Sequence, residues 1–314
     1  MTDRAHESAL LYWYRAYHLL IASSIPIPEM IEVGVPGHDA DAAPDVVVNT
    51  GCFSDHLTDP LESSPVHQAN ARALLLRVEG VARYLVRDGR EILIDVDPSA
   101  TPHDVRVFLL GTCLGALLHQ RGHLVLHASG VALEESCILF TGTSGAGKST
   151  LLAEFLRRGR QMVVDDVCAV RFDAAGQPIV VPSYPRTRLW ADAAERFNVD
   201  TSGLPRTRPT WDKFERQVDQ FSDREAKLTH VFHLAGSHDA PDALERLQPM
   251  QAFTTLLQNT YRAMLLDGLG RRADHFELVS RAASTVAVVS VTRSSRSGTV
   301  EEVADLILRF LDGS

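Results

Sequence analysis

The stretch Ile138–Val170, ILFTGTSGAGKSTLLAEFLRRGRQMVVDDVCAV, leaves a chain few ways to fold. An apolar run, SCILFTG, ends in Gly142-Thr143-Ser144-Gly145-Ala146-Gly147-Lys148-Ser149, which satisfies the pattern G-x-x-x-x-G-K-[ST] in full. Helix-forming residues follow from about Lys148 to Arg158, Gly159 closes them, and QMVVDDVCAV reads as another strand. Strand, loop, helix and strand make a βαβ unit, so the centre of the chain is α/β. Glycines let such a loop curl until successive N–H groups face inward, and the helix N-terminus adds positive potential, which suits phosphate. The amides of Thr143, Ser144, Gly145, Ala146, Gly147 and Thr150 are therefore expected to line a nucleotide cradle. Lys148 is expected to reach the terminal phosphates and Ser149 to ligate Mg²⁺, which makes ATP and Mg²⁺ the expected cofactors.

Nucleotide binding alone does not separate a kinase from an ATPase, a switch or a motor, and here the acids discriminate. Asp165 comes 17 residues after Lys148, room for one short helix and a turn, so the next strand must deliver Asp165 and Asp166 beside the loop. Metal-assisted phosphoryl transfer needs a carboxylate on Mg²⁺, and transfer to a hydroxyl gains from a second carboxylate that accepts the proton. Asp165 and Asp166 at a strand end supply both carboxylates. Neighbours on a strand point oppositely, which leaves the two roles exchangeable. His127 lies 15 residues before Gly142, near the start of the adjacent strand, where it can orient a carboxylate or tune its pKa.

These residues resemble the HPr kinase/phosphorylase family, whose catalytic domain is also similar to phosphoenolpyruvate carboxykinase. The resemblance rests on His127, GTSGAGKS and RRGRQMVVDD at matching spacings over roughly residues 120–170, and it is looser from there to the end. It implies an active-site role for His127, phosphate and Mg²⁺ contacts for Lys148 and Ser149, and metal-ligand and base roles for Asp165 and Asp166. Where the family carries Glu-x-Arg-Gly, this chain reads SYPRTRLW, so Arg186 or Arg188 carries the positive charge and the glutamate is missing. Within the group, YRAYHLLIASSIPIPE, FLLGTCLGALLHQRGHLVLHASGVAL, YPRTRLW and WDKFE look like the kinases of bacterial peptide-biosynthesis clusters, some of which phosphorylate the C-terminal serine of a lasso-peptide precursor. On that resemblance Lys213 closes over ATP or the peptide. Arg293 and Arg296 are candidates for gripping a carboxylate, against the plainer reading of a solvated turn.

The expected architecture is a small β-rich N-terminal domain over residues 1–100 and an α/β P-loop catalytic domain of HPr kinase type over 101–314. YWYRAYHLLIA, PDVVVNT, ARALLLRV, ARYLVRD and EILIDV read as strands of an antiparallel unit, with a hairpin at RDGRE. A helix is expected from Thr101 or Asp104 to Gly122, with Val105, Leu109, Cys113 and Leu117 on one face. Residues 200–227 are polar, MQAFTTLLQNTYRAMLL reads as one helix, and TVEEVADLILRFL reads as an amphipathic one. The formal charge of −9 argues against a nucleic-acid or membrane-surface partner. Four scattered cysteines fit a reducing compartment, and acids at Asp3 and Glu7 with Arg15 and His18 spoil a signal peptide or a spanning helix, so the cytoplasm is the expected location. The leading expectation is a peptide serine kinase whose partner is a precursor peptide, with homo-oligomerisation open. A kinase of a small-molecule hydroxyl and an ATP-binding regulatory module are the alternatives.

Overall fold

The computed structural model describes residues 12–35, 43–197, 200–205, 213–238, 242–294 and 299–313. The chain divides into two compact units, Met1–Val125 with Arg262–Phe276, and Leu126–Tyr261 with Glu277–Ser314.

The first unit holds β1 (Tyr12–Ala16), β2 (Leu19–Ser23), β3 (Ile31–Glu32), β4 (Val46–Thr50), β5 (Glu62–Ser63), β6 (His67–Asn70), β7 (Ala73–Val78), β8 (Ala82–Arg87) and β9 (Glu91–Val96). They form one sheet in the order β3-β1-β2-β4-β9-β8-β7-β6-β5. The β1–β2 hairpin turns through Tyr17 and His18, both at φ 54°, a backbone whose twist matches that of the flanking strands. The sheet is mixed rather than wholly antiparallel as expected, because β4 runs parallel to both β2 and β9. Long connections, not tight turns, join those three strands, and only such connections return a chain in the same direction.

The helical run breaks into α1 (Pro102–Phe108), a π-helical turn (Leu109–Cys113) and α2 (Leu114–Gln120). The Thr101 hydroxyl caps it by accepting from the Asp104 amide, and Gly122 at φ 77° follows its end, as the sequence suggested. Every residue of α2 is buried, so this segment needs cover on all sides. Residues 101–125 accordingly group with the first unit and not with the catalytic domain to which the sequence reading assigned them. Tyr84 Oη on β8 donates to the Val105 carbonyl at 2.9 Å and pins α1 to the sheet.

The second unit carries β10 (Leu124–His127), β11 (Ser129–Leu133), β12 (Ser136–Thr141), α3 (Lys148–Arg157), β13 (Gln161–Val164), β14 (Val167–Phe172), β15 (Pro178–Val181), β16 (Arg186–Trp190), α4 (Ala191–Arg196), β17 (Lys213–Gln217), β18 (Ala226–His238) and β19 (Ala243–Arg246). Then follow α5 (Pro249–Gln258), α6 (Leu265–Gly268), α7 (Arg272–Thr285), β20 (Ala287–Ser294) and α8 (Val300–Asp312), of which α6 and the start of α7 belong to the first unit. The main sheet runs β10-β14-β15-β18-β12-β11-β13, with β20 beside β18 and β19 beside β20, while β16 and β17 form a separate two-stranded ribbon. β12 pairs parallel with β18, and β18 pairs parallel with β20. The α/β centre read from the sequence is present.

Phe140, Leu152, Phe155, Phe232, Val289, Val303 and Ile307 make the core between this sheet, α3 and α8. Thr299 and Glu302 form a capping box that starts α8. The segment expected as a single helix over 250–266 is instead broken. α5 ends at Asn259, Arg262 takes φ 51°, and Thr260 bridges to Leu126. Among the described residues no helix is long and apolar enough to cross a membrane.

Candidate functional site

The glycine loop joins β12 to α3, and its shape is set by backbone that only glycine adopts freely. Gly142, Gly145 and Gly147 take φ of 143°, 83° and 99°. A Cβ on Gly142 would stand 2.9 Å from the Leu234 carbonyl oxygen, so this position has no room for one. Lys148 opens α3 and is buried. Its Nζ donates back to the Gly142 and Thr143 carbonyls at 2.8 and 3.1 Å, which presses the side chain along the inside of the loop.

The two aspartates occupy the turn between β13 and β14, and the turn gives them different surroundings. Asp165 is buried and accepts from Ser129 Oγ at 2.6 Å, Thr187 Oγ1 at 2.7 Å and the Arg188 amide at 3.1 Å. Both sites of Oδ2 are thereby filled and one lone pair of Oδ1 remains. The Val167 amide donates to the Asp165 carbonyl at 3.0 Å around Asp166, which takes φ 71°. Such three-residue turns are strained for a non-glycine residue, and strain of this kind collects at working sites.

That conformation turns the Asp166 carboxylate toward His127 and Arg188. His127 Nδ1 lies 3.3 Å from Asp166 Oδ1 and 3.2 Å from the Asp166 carbonyl oxygen, and Arg188 Nη1 donates to Asp166 Oδ2. Arg188 Nε donates to Glu215 Oε1 at 3.0 Å, and Arg186 donates to the other oxygen of the same carboxylate. Burial works against the Arg188 charge, but Asp166 and Glu215 outweigh it and hold the guanidinium protonated above its ordinary range. Burial dominates for Arg186 and lowers its pKa despite Glu215.

These groups share one cavity of about 290 Å³. Ser144, Gly145, Gly147, Lys148, Ser149 and Thr150 line one wall, and His127, Asp165, Asp166, Arg188 and Trp190 the other. Of the residues singled out from the sequence, His127, Ser144, Gly145, Gly147, Lys148, Ser149, Thr150, Asp165, Asp166 and Arg188 line this cavity, and Arg186 stands behind it on the carboxylate it shares with Arg188. Thr143 and Ala146 sit in the loop but do not face the cavity. Lys213 opens β17, where its backbone pairs with Trp190, and its side chain lies outside the described residues. Arg293 reaches the outer side of the loop, its Nη1 3.5 Å from where a Gly147 Cβ would be. Arg296 lies outside the described residues.

The donor set fits a magnesium nucleotide. Lys148 and the first turn of α3 offer cationic and N–H character, while the Ser149 hydroxyl and the remaining Asp165 lone pair are hard oxygen ligands on the same cavity.

Six residues escaped the sequence reading, and one of them, Trp190, lines the cavity itself. Ser129 is two positions from His127, hence on the same side of an extended chain, and that period was available as a signal. Thr187 adjoins Arg188, and Glu215 sits directly across the ribbon from it. The Asn259 side chain accepts from the Gly142 amide at 3.0 Å, and His233 Nδ1 lies 3.3 Å from Thr141 Oγ1. Burial, helped by the Lys148 charge, lowers the His233 pKa and keeps the ring neutral. For Glu215, Asn259 and His233 no local sequence pattern gives notice.

The sequence matches no protein-family model. No curated protein matches it either. Among solved structures the chain is similar to the Hpr(Ser) kinase/phosphatase from Coxiella burnetii, at 12% identity over 60% of this chain and 99% of that one, with a TM-score of 0.31.

Proposed function

We propose that the chain is an ATP- and Mg²⁺-dependent kinase, working in the cytoplasm, that transfers the γ-phosphoryl group to a serine hydroxyl of a precursor peptide of the lasso-peptide kind. One observation carries this reading: a glycine loop with its lysine, and an aspartate held between a histidine and an arginine, face each other across a single cavity. Bound MgATP supplies the phosphoryl group, with the metal neutralising charge on it. Lys148 and the loop amides hold the terminal phosphates, and Ser149 and Asp165 hold the metal. Ser129 and Thr187 fix the rotamer of Asp165, so the carboxylate is oriented before anything binds.

Asp166 accepts the proton of the attacking hydroxyl, and His127 orients it from 3.3 Å. Arg188, held from behind by Glu215 at 3.0 Å, keeps a cation beside Asp166 and the developing charge. The peptide acceptor rests on the resemblance of the flanking segments to precursor kinases, and the acidic balance of −9 suits a partner other than nucleic acid.

The test is incubation with MgATP and a synthetic precursor-type peptide ending in serine, read by mass spectrometry beside Lys148→Ala. One added phosphate mass on the serine, absent with the variant, is the expected result. ATP consumed with an unmodified peptide would redirect the reading to a small-molecule hydroxyl. ATP bound without turnover on any acceptor would redirect it to a regulatory module.

A further inference from the structure

The two walls of the cavity are tied together at one residue. Asn259 follows α5, is only 8% exposed, and uses its side chain and its backbone on different walls. Its Oδ1 accepts from the Gly142 amide at 3.0 Å, where the loop leaves β12. Its backbone carbonyl accepts from the His127 amide at 2.8 Å, where β10 delivers the imidazole. Nδ2 donates to the Thr255 carbonyl at 2.8 Å, which fixes the amide the right way round for Gly142. On either side the fit is tight. A Cβ on Gly142 would meet the Leu234 carbonyl, and the residues after Asn259, which with it form a strap over 259–261, also grip the β10 end, through the Thr260 bridge to Leu126 and the Tyr261 ring 5.9 Å from that of His127.

We infer that Asn259 is a positioning residue that couples occupancy of the glycine loop to the placement of His127 against Asp166. The inference rests on the proposed nucleotide site and adds a regulation of it. The Gly142 amide is directed into Asn259 and not into the cavity, so the tether does not compete with phosphate for a donor. A shift of the loop start on phosphate binding must therefore either carry the strap, and with it His127, or break a buried hydrogen bond. Because the second link is made by backbone, substituting the side chain cuts the loop from the strap while leaving the bond to His127 in place. That separation makes the coupling measurable.

The experiment uses the full chain, with MgATP affinity measured by calorimetry and the His127 ring followed by NMR, its signals assigned through His127→Gln. In the wild type, saturating MgATP is expected to shift the His127 signals. Asn259→Ala is expected to weaken MgATP by about tenfold, the worth of a buried hydrogen bond, and to abolish most of that shift even at saturation. Asn259→Asp keeps an acceptor for Gly142 and is expected to restore the shift, and it serves equally where the alanine variant folds poorly.

A purely structural role would lower the melting temperature yet leave the saturated His127 response intact, and that result overturns the inference while MgATP binding stands. Wild-type protein that binds no MgATP would overturn both this inference and the kinase reading.

Discussion

The two walls of the cavity are built by opposite means. The loop wall comes from one contiguous segment, residues 142–150, and its form follows from three glycines at positive φ and the start of one helix. The acid wall is assembled from four strands and a turn: His127 on β10, Ser129 on β11, Asp165 and Asp166 between β13 and β14, Thr187 and Arg188 on β16, and Glu215 on β17. The loop wall is therefore specified by backbone, and few of its side chains depend on others. The acid wall is specified by side-chain hydrogen bonds among buried and half-buried groups, where each partner removed leaves another unsatisfied. Damage should follow that division: substitutions in the loop weaken nucleotide affinity, whereas substitutions behind the acids cost stability and geometry.

The largest test of the acid wall is Glu215→Gln. It leaves the half-buried Arg186 and Arg188 guanidinium groups without the buried carboxylate they share, and breaking a buried ion pair from one side costs about 3 to 5 kcal/mol. Chemical denaturation should show that loss, and a change below about 0.5 kcal/mol would mean the wall does not depend on its side chains as described.

Gly142→Ala comes next. At φ 143° and 2.9 Å from the Leu234 oxygen, the added methyl strains the loop, by about 1 to 3 kcal/mol. MgATP affinity should fall with it, and retention of full affinity would show that the loop tolerates a shape other than the one described.

The smallest pair is Ser129→Ala and Thr187→Val, each removing one hydrogen bond from Asp165. Each should cost about 1 to 3 kcal/mol at most, since Asp165 keeps its other donors. The two together should exceed the sum of the singles if both oxygens of Asp165 are to be held, and a double-mutant cycle reads that difference.

The same division explains what the sequence disclosed. The strand–loop–helix–strand core, Lys148, Ser149 and the aspartate pair were legible because contiguous backbone physics leaves a contiguous pattern. His127 was singled out by its spacing to the loop, but it ends β10, which pairs with β14, and does not start the strand adjacent to β12 as expected. Glu215 was not: the expected family glutamate is missing from SYPRTRLW, and the carboxylate that pairs with Arg186 and Arg188 arrives from β17 through strand register alone. Asn259 was hidden by a helical pattern that reads smoothly through it to Leu266, although the chain stops α5 there and bends through Arg262. The unit boundary was misplaced for a related reason. The helical run after Thr101 has the composition of any buried helix, and only the sheet it covers says which unit owns it. The mixed order of the first sheet was likewise beyond strand signals, which carry no direction.

The most direct measurement sets Lys148→Ala against Asp166→Asn in one assay of MgATP affinity and phosphoryl transfer to the serine-ended peptide. Asparagine accepts the positive φ of Asp166 readily, so the turn should survive the change. Asp166→Asn is expected to bind MgATP within a few-fold of wild type while losing about 10²- to 10⁴-fold in turnover, and Lys148→Ala to lose affinity as well as turnover. Full turnover by Asp166→Asn, or unchanged MgATP affinity in Lys148→Ala, would contradict the account of a cavity with one nucleotide-holding wall and one proton-accepting wall.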